Sequence, residues 1–438
     1  MTSSTFNFFQ HWYPISPIED LDPDRPTSVT LLGRRLVIWK PRHAEQFCVF
    51  FDLCPHRLAP LSEGRIDETS GNLMCSYHGW QFDAQGVCTQ IPQADDAELI
   101  AKNRQYYCVT ALPTQVANGL LWVWPDADSQ AIASTRPLPL SPQVDAEQGF
   151  VWSSMVRDLE YDWQTLVENV ADPSHVPFAH HGVQGDRNRA RPVPIKIVES
   201  TPDGIIATTE GGFNTKITFH PPCHLEYAIQ LSGDRQIGLV TYCIPVAAGK
   251  SRIVAQFPRN FAKQMHHWIP RWWNHISMRN LVLDGDMVLL HYQERELQRS
   301  QERWQTAYKL PTSADRLVIE FHRWLDQSVA KPLPWGGIDD PTPLSLRDRS
   351  QLLDRYHQHT QICSSCRQAL QTVQRWQLGL LIYFAVTVSI AALLPDAFRG
   401  WIGLPLVLTG LLGLGVSLGL KYWLEPKFYF VDYVHADR

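Results

Sequence analysis

Cys54 and His56 stand in the run CPHRLAP, and Cys75 and His78 stand in CSYHGWQF, with 18 residues between His56 and Cys75. Two thiolates and two imidazoles on two short loops make one set of four metal ligands. A single ion would make it a Cys2His2 zinc site, but zinc signatures usually pair Cys with Cys and His with His. Here each loop carries one of each, which suits a Rieske [2Fe–2S] centre, where two His replace two Cys on one iron. About 100 residues downstream lies a second set, Asp172, His175 and His180, spaced Asp-x2-His-x4-His. Two His and one carboxylate on one face of a metal leave positions open for O2 and substrate, as in non-haem Fe(II) oxygenases. His175 and His180 are five apart, awkward for one regular helix. Pro173 and Pro177 predict a break there that lets both rings converge. His181 is one residue too far from His175 and is left out.

Those residues need elements to hold them. The chain has 438 residues, 39 Lys plus Arg, 44 Asp plus Glu and a net charge of −5, so no basic excess is offered to nucleic acid. Nine cysteines are too few for a disulfide scaffold. Short apolar, glycine-punctuated segments (28–32, 36–39, 47–51, 120–124) predict an all-β domain over 5–126. A polar linker is expected over 127–150, then a helix over Asp158–Ala179. Six strand-like segments follow between 195 and 257, then helices over Arg279–Arg303 and Ala314–Asp326, making 150–330 an α+β domain. A breaker-rich linker is expected over 331–343 and a polar helical segment over 344–377. Leu378–Leu394 and Gly400–Leu420 then run 17 and 21 residues without a charge, each near the length that spans a bilayer core of about 30 Å. The mean hydropathy of −0.21 hides these two spans, 378–420, read as a transmembrane hairpin. Arg367, Arg375, Lys421 and Lys427 flank its outer ends against Arg399 in its loop, which puts the catalytic body on the cytoplasmic side.

Neither cluster loop has the extra Cys of respiratory Rieske proteins, and both resemble the loops of ring-hydroxylating Rieske oxygenases. A narrower resemblance covers nearly the whole chain. CPHRLAPLSEGRID, ENVADPSHVPFAHHG, LDGDMVLLHYQE, a Cys-x-x-Cys before the hairpin and the tail FYFVDYVHADR resemble the pheophorbide a oxygenase family, including its lethal-leaf-spot type members. That resemblance implies an α+β fold: an N-terminal Rieske domain, a helix-grip (START-like) catalytic domain and a C-terminal membrane hairpin. It implies a cluster on Cys54, His56, Cys75 and His78, and a mononuclear iron on His175, His180 and a distant Asp. Asp286 is preferred for that Asp, with Asp284 the alternative and an N-cap role the bland reading of either. Asp172 would bridge a cluster His of one subunit to an iron His of its neighbour, which implies a homotrimer; a simple turn or cap is the competing role. Asn169 would sit near the iron.

The same resemblance implies O2 and a chlorophyll-related tetrapyrrole as substrates, with ferredoxin or a ferredoxin-linked reductase as donor. Cys363 and Cys366, i and i+3 on a helix, would form a thioredoxin-responsive disulfide or be two inert thiols. Trp268, Trp272 and Trp273 are read as lying near the bilayer surface or the substrate mouth, or as ordinary core. The first residues show neither a secretory signal nor a plastid transit peptide, from which a cyanobacterial thylakoid or plasma membrane is expected. The rival function is a redox-sensing or electron-relay component, which would have no use for a second iron site. A zinc scaffold is the third reading.

Overall fold

The computed structural model describes residues 6–211, 214–329 and 345–438. The four expected N-terminal segments form strands Thr27–Leu31, Arg34–Trp39, Cys48–Phe51 and Leu120–Val123. They belong to two small antiparallel sheets, of four and three strands. A third sheet orders Arg65–Ile66, Leu73–Met74, Gln81–Phe82 and Cys88–Gln90. One ligand loop leaves strand Cys48–Phe51. The other is the turn between Leu73–Met74 and Gln81–Phe82. Val37, Trp39, Phe50, Leu61, Leu73 and Phe82 form the apolar floor beneath both loops.

The stretch 127–150 is packed against the body instead of hanging as a free linker. It carries helix Gln130–Thr135, and Ala133, Val144 and Phe150 are buried. Small apolar residues spaced among Ser and Pro were enough to anchor it.

The middle of the chain is a seven-stranded antiparallel sheet. All six expected strands occur: Ile195–Thr201, Gly204–Thr209, Asn214–His220, His224–Gln230, Gln236–Ala247 and Lys250–Gln256. A seventh strand, Ser154–Leu159, pairs with Lys250–Gln256 at the sheet edge. The expected helix from Asp158 is therefore corrected: its first residues are strand. Leu159 lies four residues before Trp163 and imitates a helical repeat across a strand-to-helix junction. The helix is Trp163–Ala171, capped by Asp162, whose Oδ1 accepts from the Gln164 N–H at 3.1 Å. A short turn, Pro173–His175, and a four-residue helix, Val176–Ala179, follow it. Helix Asn280–Ser300 packs against the sheet, entered through a π-helical turn, His275–Arg279. Helix Arg316–Ser328 completes this layer.

The expected linker at 331–343 lies outside the described residues. The region after it is less helical than its polar pattern predicts. Among the described residues of this segment, only Arg349–Leu352 and a π-turn, Tyr356–Thr360, precede the long helix Ser364–Leu393. Buried side chains interrupt this segment: Arg355, Gln358, His359 and Thr360 all turn inward. The long helix and its partner, Asp396–Phe428, are apolar enough to cross a membrane, and only 6% and 22% of their most apolar windows are buried. A hairpin in the core of a soluble protein would be mostly buried. Small residues form the seam between the two helices: a Cβ on Gly410 would overlap Thr387 Oγ1, and Ser417 Oγ donates to the Gln377 carbonyl.

Candidate active site

The two cluster loops repeat one backbone design. The Leu58 N–H donates to the Cys54 carbonyl at 2.8 Å, and the Gly79 N–H donates to the Cys75 carbonyl at 3.0 Å. The Cys54 N–H donates to the Ala59 carbonyl and the Cys75 N–H to the Trp80 carbonyl. Each loop turns through a left-handed residue, Leu58 (φ 59°) and Gly79 (φ 73°). Cys54 and Cys75 are buried while His56 and His78 reach the surface, their ring centroids 4.4 Å apart. The His56 ring stacks on Trp80, and its Nδ1 is enclosed without a hydrogen-bond partner in the chain. Burial pushes the Cys54 thiol up to about 12, so a thiolate here needs a metal's charge to hold it. Two inward thiols and two outward imidazoles, one ring nitrogen unpartnered, fit the [2Fe–2S] centre expected of them.

The second set also converges, and it selects one aspartate. His175 Nε2 lies 3.2 Å from His180 Nε2; Asp286 Oδ1 is 3.7 Å from the first and Oδ2 is 3.5 Å from the second. A metal about 2.0–2.2 Å from each donor spans such separations. His175 donates through Nδ1 to the carbonyl of Asp172, which leaves Nε2 with its lone pair toward the other two ligands. The proline-broken turns bring the rings together: Asp172 caps Pro173–His175, and His180 closes Val176–Ala179. Burial, then the neighbouring His175, lowers His180 to about 3, so it stays neutral. Burial raises Asp286 to about 6, against the pull of His175 and a hydrogen bond from Asn169. These three residues fit a mononuclear iron held on one face.

Asp284 has another task. Its Oδ1 receives Arg157 Nη2 at 2.7 Å and its Oδ2 receives Arg355 Nε at 2.8 Å, all three side chains fully buried. The glycine between the two aspartates is required by contact. A Cβ on Gly285 would meet the Ala179 carbonyl at 2.8 Å, His180 Nδ1 at 3.1 Å and the Tyr433 ring at 3.2 Å. The Asp172 carboxylate does serve as a cap: Oδ1 accepts from the Ser174 N–H at 2.8 Å and from its Oγ at 2.5 Å. Among the described residues no hydrogen bond reaches its Oδ2.

A cavity of about 320 Å³ opens beside the triad. Its walls are apolar, with Met155, Ile237, Leu239, Ile253, Phe257 and Val282 among them, and Asn169 and Asp172 stand on the triad side. Arg279 also lines it, its guanidinium 3.4 Å from the Phe257 ring centroid.

The Rieske [2Fe-2S] domain profile matches residues 11–112, and the pheophorbide a oxygenase profile matches 219–304. Pheophorbide a oxygenase of Oryza sativa subsp. japonica is 40% identical over 99% of this chain and 85% of its own length. The chain belongs to the pheophorbide a oxygenase family. It is thus a Rieske-type oxygenase, with an electron-transfer partner and O2 implied by that membership. Flavonoid 8-hydroxylase 2 of Ocimum basilicum is 34% identical over 98% of this chain and 86% of its own length. Dicamba monooxygenase bound to dicamba shares the fold, with a TM-score of 0.60 over 75% of this chain and all of that one, at 20% identity.

Several neighbours of the site escaped sequence reading. In the sequence Arg279 reads only as the start of a helix. Tyr433, whose hydroxyl donates to the Ala179 carbonyl at 2.8 Å, brings the C-terminal tail beside His180 of the triad. No local signal marks either role: Tyr433 reaches Ala179 across 254 residues, and Arg279 lines the cavity only because the fold brings its turn beside the sheet. Cys363 and Cys366 lie apart from the triad, buried and both free. Cys363 is the cap of the long helix and not part of it, so the pair is not on successive turns of one regular helix.

Proposed function

We propose that this chain is a membrane-anchored oxygenase acting on a chlorophyll-derived tetrapyrrole that carries a free carboxylate. The observation that carries the reading is Arg279. It lines an apolar cavity beside the triad and has no carboxylate partner among the described residues; its Nε donates only to Asn274 Oδ1, at 3.1 Å. Burial and the nearby Arg259 lower it to about 10, which marks a cation short of an anion. A propionate carboxylate would supply that anion while the apolar walls cover the ring.

The other roles divide among the residues already placed. Cys54, His56, Cys75 and His78 would hold the cluster, and His175, His180 and Asp286 the iron. When bound, these two groups supply electron delivery and O2 activation, so that oxygen enters a C–H bond or ring double bond. Asn169 holds the Asp286 carboxylate, and the Asp172 carbonyl fixes the His175 tautomer. The Asp172 Oδ2, open within the chain, is the atom that would accept from a cluster His of a neighbouring subunit. That contact requires a homotrimer, and native mass spectrometry showing a monomer would remove it. The exposed His side of the cluster would receive electrons from a ferredoxin or ferredoxin-linked reductase.

The helix ends support the anchor. Trp376, Trp401, Tyr422 and Trp423 are exposed near the two ends of the hairpin, where interfacial aromatics sit. Trp273 lies 6.4 Å from Trp423, and Trp268 is 77% exposed beside it in sequence, so an apolar substrate would enter at the membrane surface, near the turn that carries Arg279. The basic flanks favour a catalytic body on the cytoplasmic side of the membrane, testable by protease access in sealed vesicles.

One panel tests the substrate class: the purified chain, a ferredoxin system, and pheophorbide, chlorophyllide, protochlorophyllide and a flavone, with products read by mass spectrometry. Turnover of a carboxylated tetrapyrrole is expected. Arg279→Leu should raise its KM about tenfold and leave the methyl ester unaffected, the loss of one charge-assisted contact of about 1.5 kcal/mol. Turnover of the flavone alone would refute the tetrapyrrole reading.

A further inference from the structure

Four buried metal-ligating side chains outside the active site meet at one point. His275, His359, Cys363 and Cys366 each aim one ligand atom inward, and all four atoms lie within 4.8 Å of one another. His359 Nε2 is 3.1 Å from His275 Nδ1, and Cys366 Sγ is 3.3 Å from His359 Nε2. Both sulfurs are 3.6 Å from His275 Nδ1. An ion with Zn–S bonds of about 2.3 Å and Zn–N bonds of about 2.05 Å, at tetrahedral angles, sets N–N edges of about 3.3 Å and S–N edges of about 3.6 Å. The measured edges agree with those lengths to within about 0.3 Å.

The surroundings prepare the same donors. His359 donates through Nδ1 to the Val156 carbonyl at 2.6 Å, so its Nε2 carries the lone pair that points at the cluster. Arg271 Nη2 donates to Cys363 Sγ at 3.0 Å, as a thiolate would require. Both histidines stand on π-helical turns, a local distortion that often marks a functional position. A disulfide would engage the two sulfurs alone and leave two buried imidazole nitrogens facing each other. Four converging donors are explained by an ion.

We propose that His275, His359, Cys363 and Cys366 bind one structural zinc ion. Two thiols lose their protons as Zn2+ binds, so the site carries no net charge. All four positions are filled by protein, which makes the site closed and non-catalytic. Its ligands come from the turn leading into the Asp286 helix, from the strand-backed segment before the hairpin, and from the first turn of the hairpin. Zinc would therefore rivet the root of the proposed anchor to the catalytic domain.

Purify the full chain in detergent without chelators and count metals by mass spectrometry. About one zinc beside about three irons per chain is expected, two irons in the cluster and one in the triad. Cobalt(II) exchanged into the site should show the thiolate charge-transfer and intense visible bands of a tetrahedral S2N2 ion. Cys366→Ser should lose the zinc yet keep the Rieske EPR signal; if that variant does not fold, the wild-type metal count and cobalt spectrum still decide. Less than about a tenth of a zinc per chain at full iron loading, a fourth iron in its place, or a Cys363–Cys366 disulfide recovered from the native protein would each overturn the proposal.

Discussion

At the scale of single residues, the run Asp284-Gly285-Asp286 concentrates three incompatible jobs in three positions. Asp284 neutralises two buried guanidiniums, Gly285 lets the helix touch His180, and Asp286 completes the triad. Asp284→Ala leaves Arg157 and Arg355 buried and unpaired, and should cost about 3–5 kcal/mol in a denaturation experiment. Asp286→Ala should keep the fold and the Rieske EPR signal while losing the mononuclear iron. The reverse pattern would make Asp284 the ligand. The pH dependence has a definite sign. Asp286 is raised from 3.8 to about 6, so in the metal-free chain it binds its proton more tightly folded than unfolded. Its contribution to stability is full below about pH 4 and is lost as the pH rises through about 6. Iron takes the carboxylate form, so the rise in thermal midpoint on adding Fe(II) should be larger at pH 7 than at pH 5. An equal rise at both would dissociate Asp286 from iron binding.

At the scale of elements, the parts whose chemistry is local were readable from the chain. The two cluster loops are short and self-contained, so Cys-x-His and Cys-x-x-His carried their meaning without tertiary help. His175 and His180 were readable because Pro173 and Pro177 announce the break that joins them. The Ser154–Leu159 strand was not, because it forms only against a partner about 100 residues away and its last apolar residue falls in phase with the next helix. The Cys-x-x-Cys could be read as a redox pair or as two inert thiols; its contact with His275 was not legible, because His275 lies 88 residues upstream of Cys363. The hairpin was visible as two uncharged runs, but its seam was not. Gly410→Leu should lower the thermal midpoint in detergent, since its side chain meets Thr387, with an overpacking penalty of about 1–3 kcal/mol. Gly415→Leu, where a Cβ meets nothing, should leave it unchanged. Equal effects would deny the observed helix pairing.

At the scale of the whole molecule, three parts are tied together near one locus. The segment at the anchor root, the C-terminal tail and the Asp286 helix all contact one another: Arg355 pairs with Asp284, the Arg355 N–H donates to the Tyr429 carbonyl, and the Tyr433 ring lies against Gly285. A large apolar substrate would then leave the bilayer beside the helix that carries Asp286. Among the described residues no hydrogen bond or ion pair joins the cluster loops to the triad within one chain, in keeping with the proposed electron path between subunits. The central claim is that this triad puts oxygen from O2 into a tetrapyrrole. It is tested most directly by a single turnover under 18O2, with the cluster pre-reduced and pheophorbide bound, comparing the wild type with His175→Ala. The wild type should give 18O-labelled product and His175→Ala none, although its Rieske EPR signal persists; unlabelled product, or equal labelling by both proteins, would contradict it.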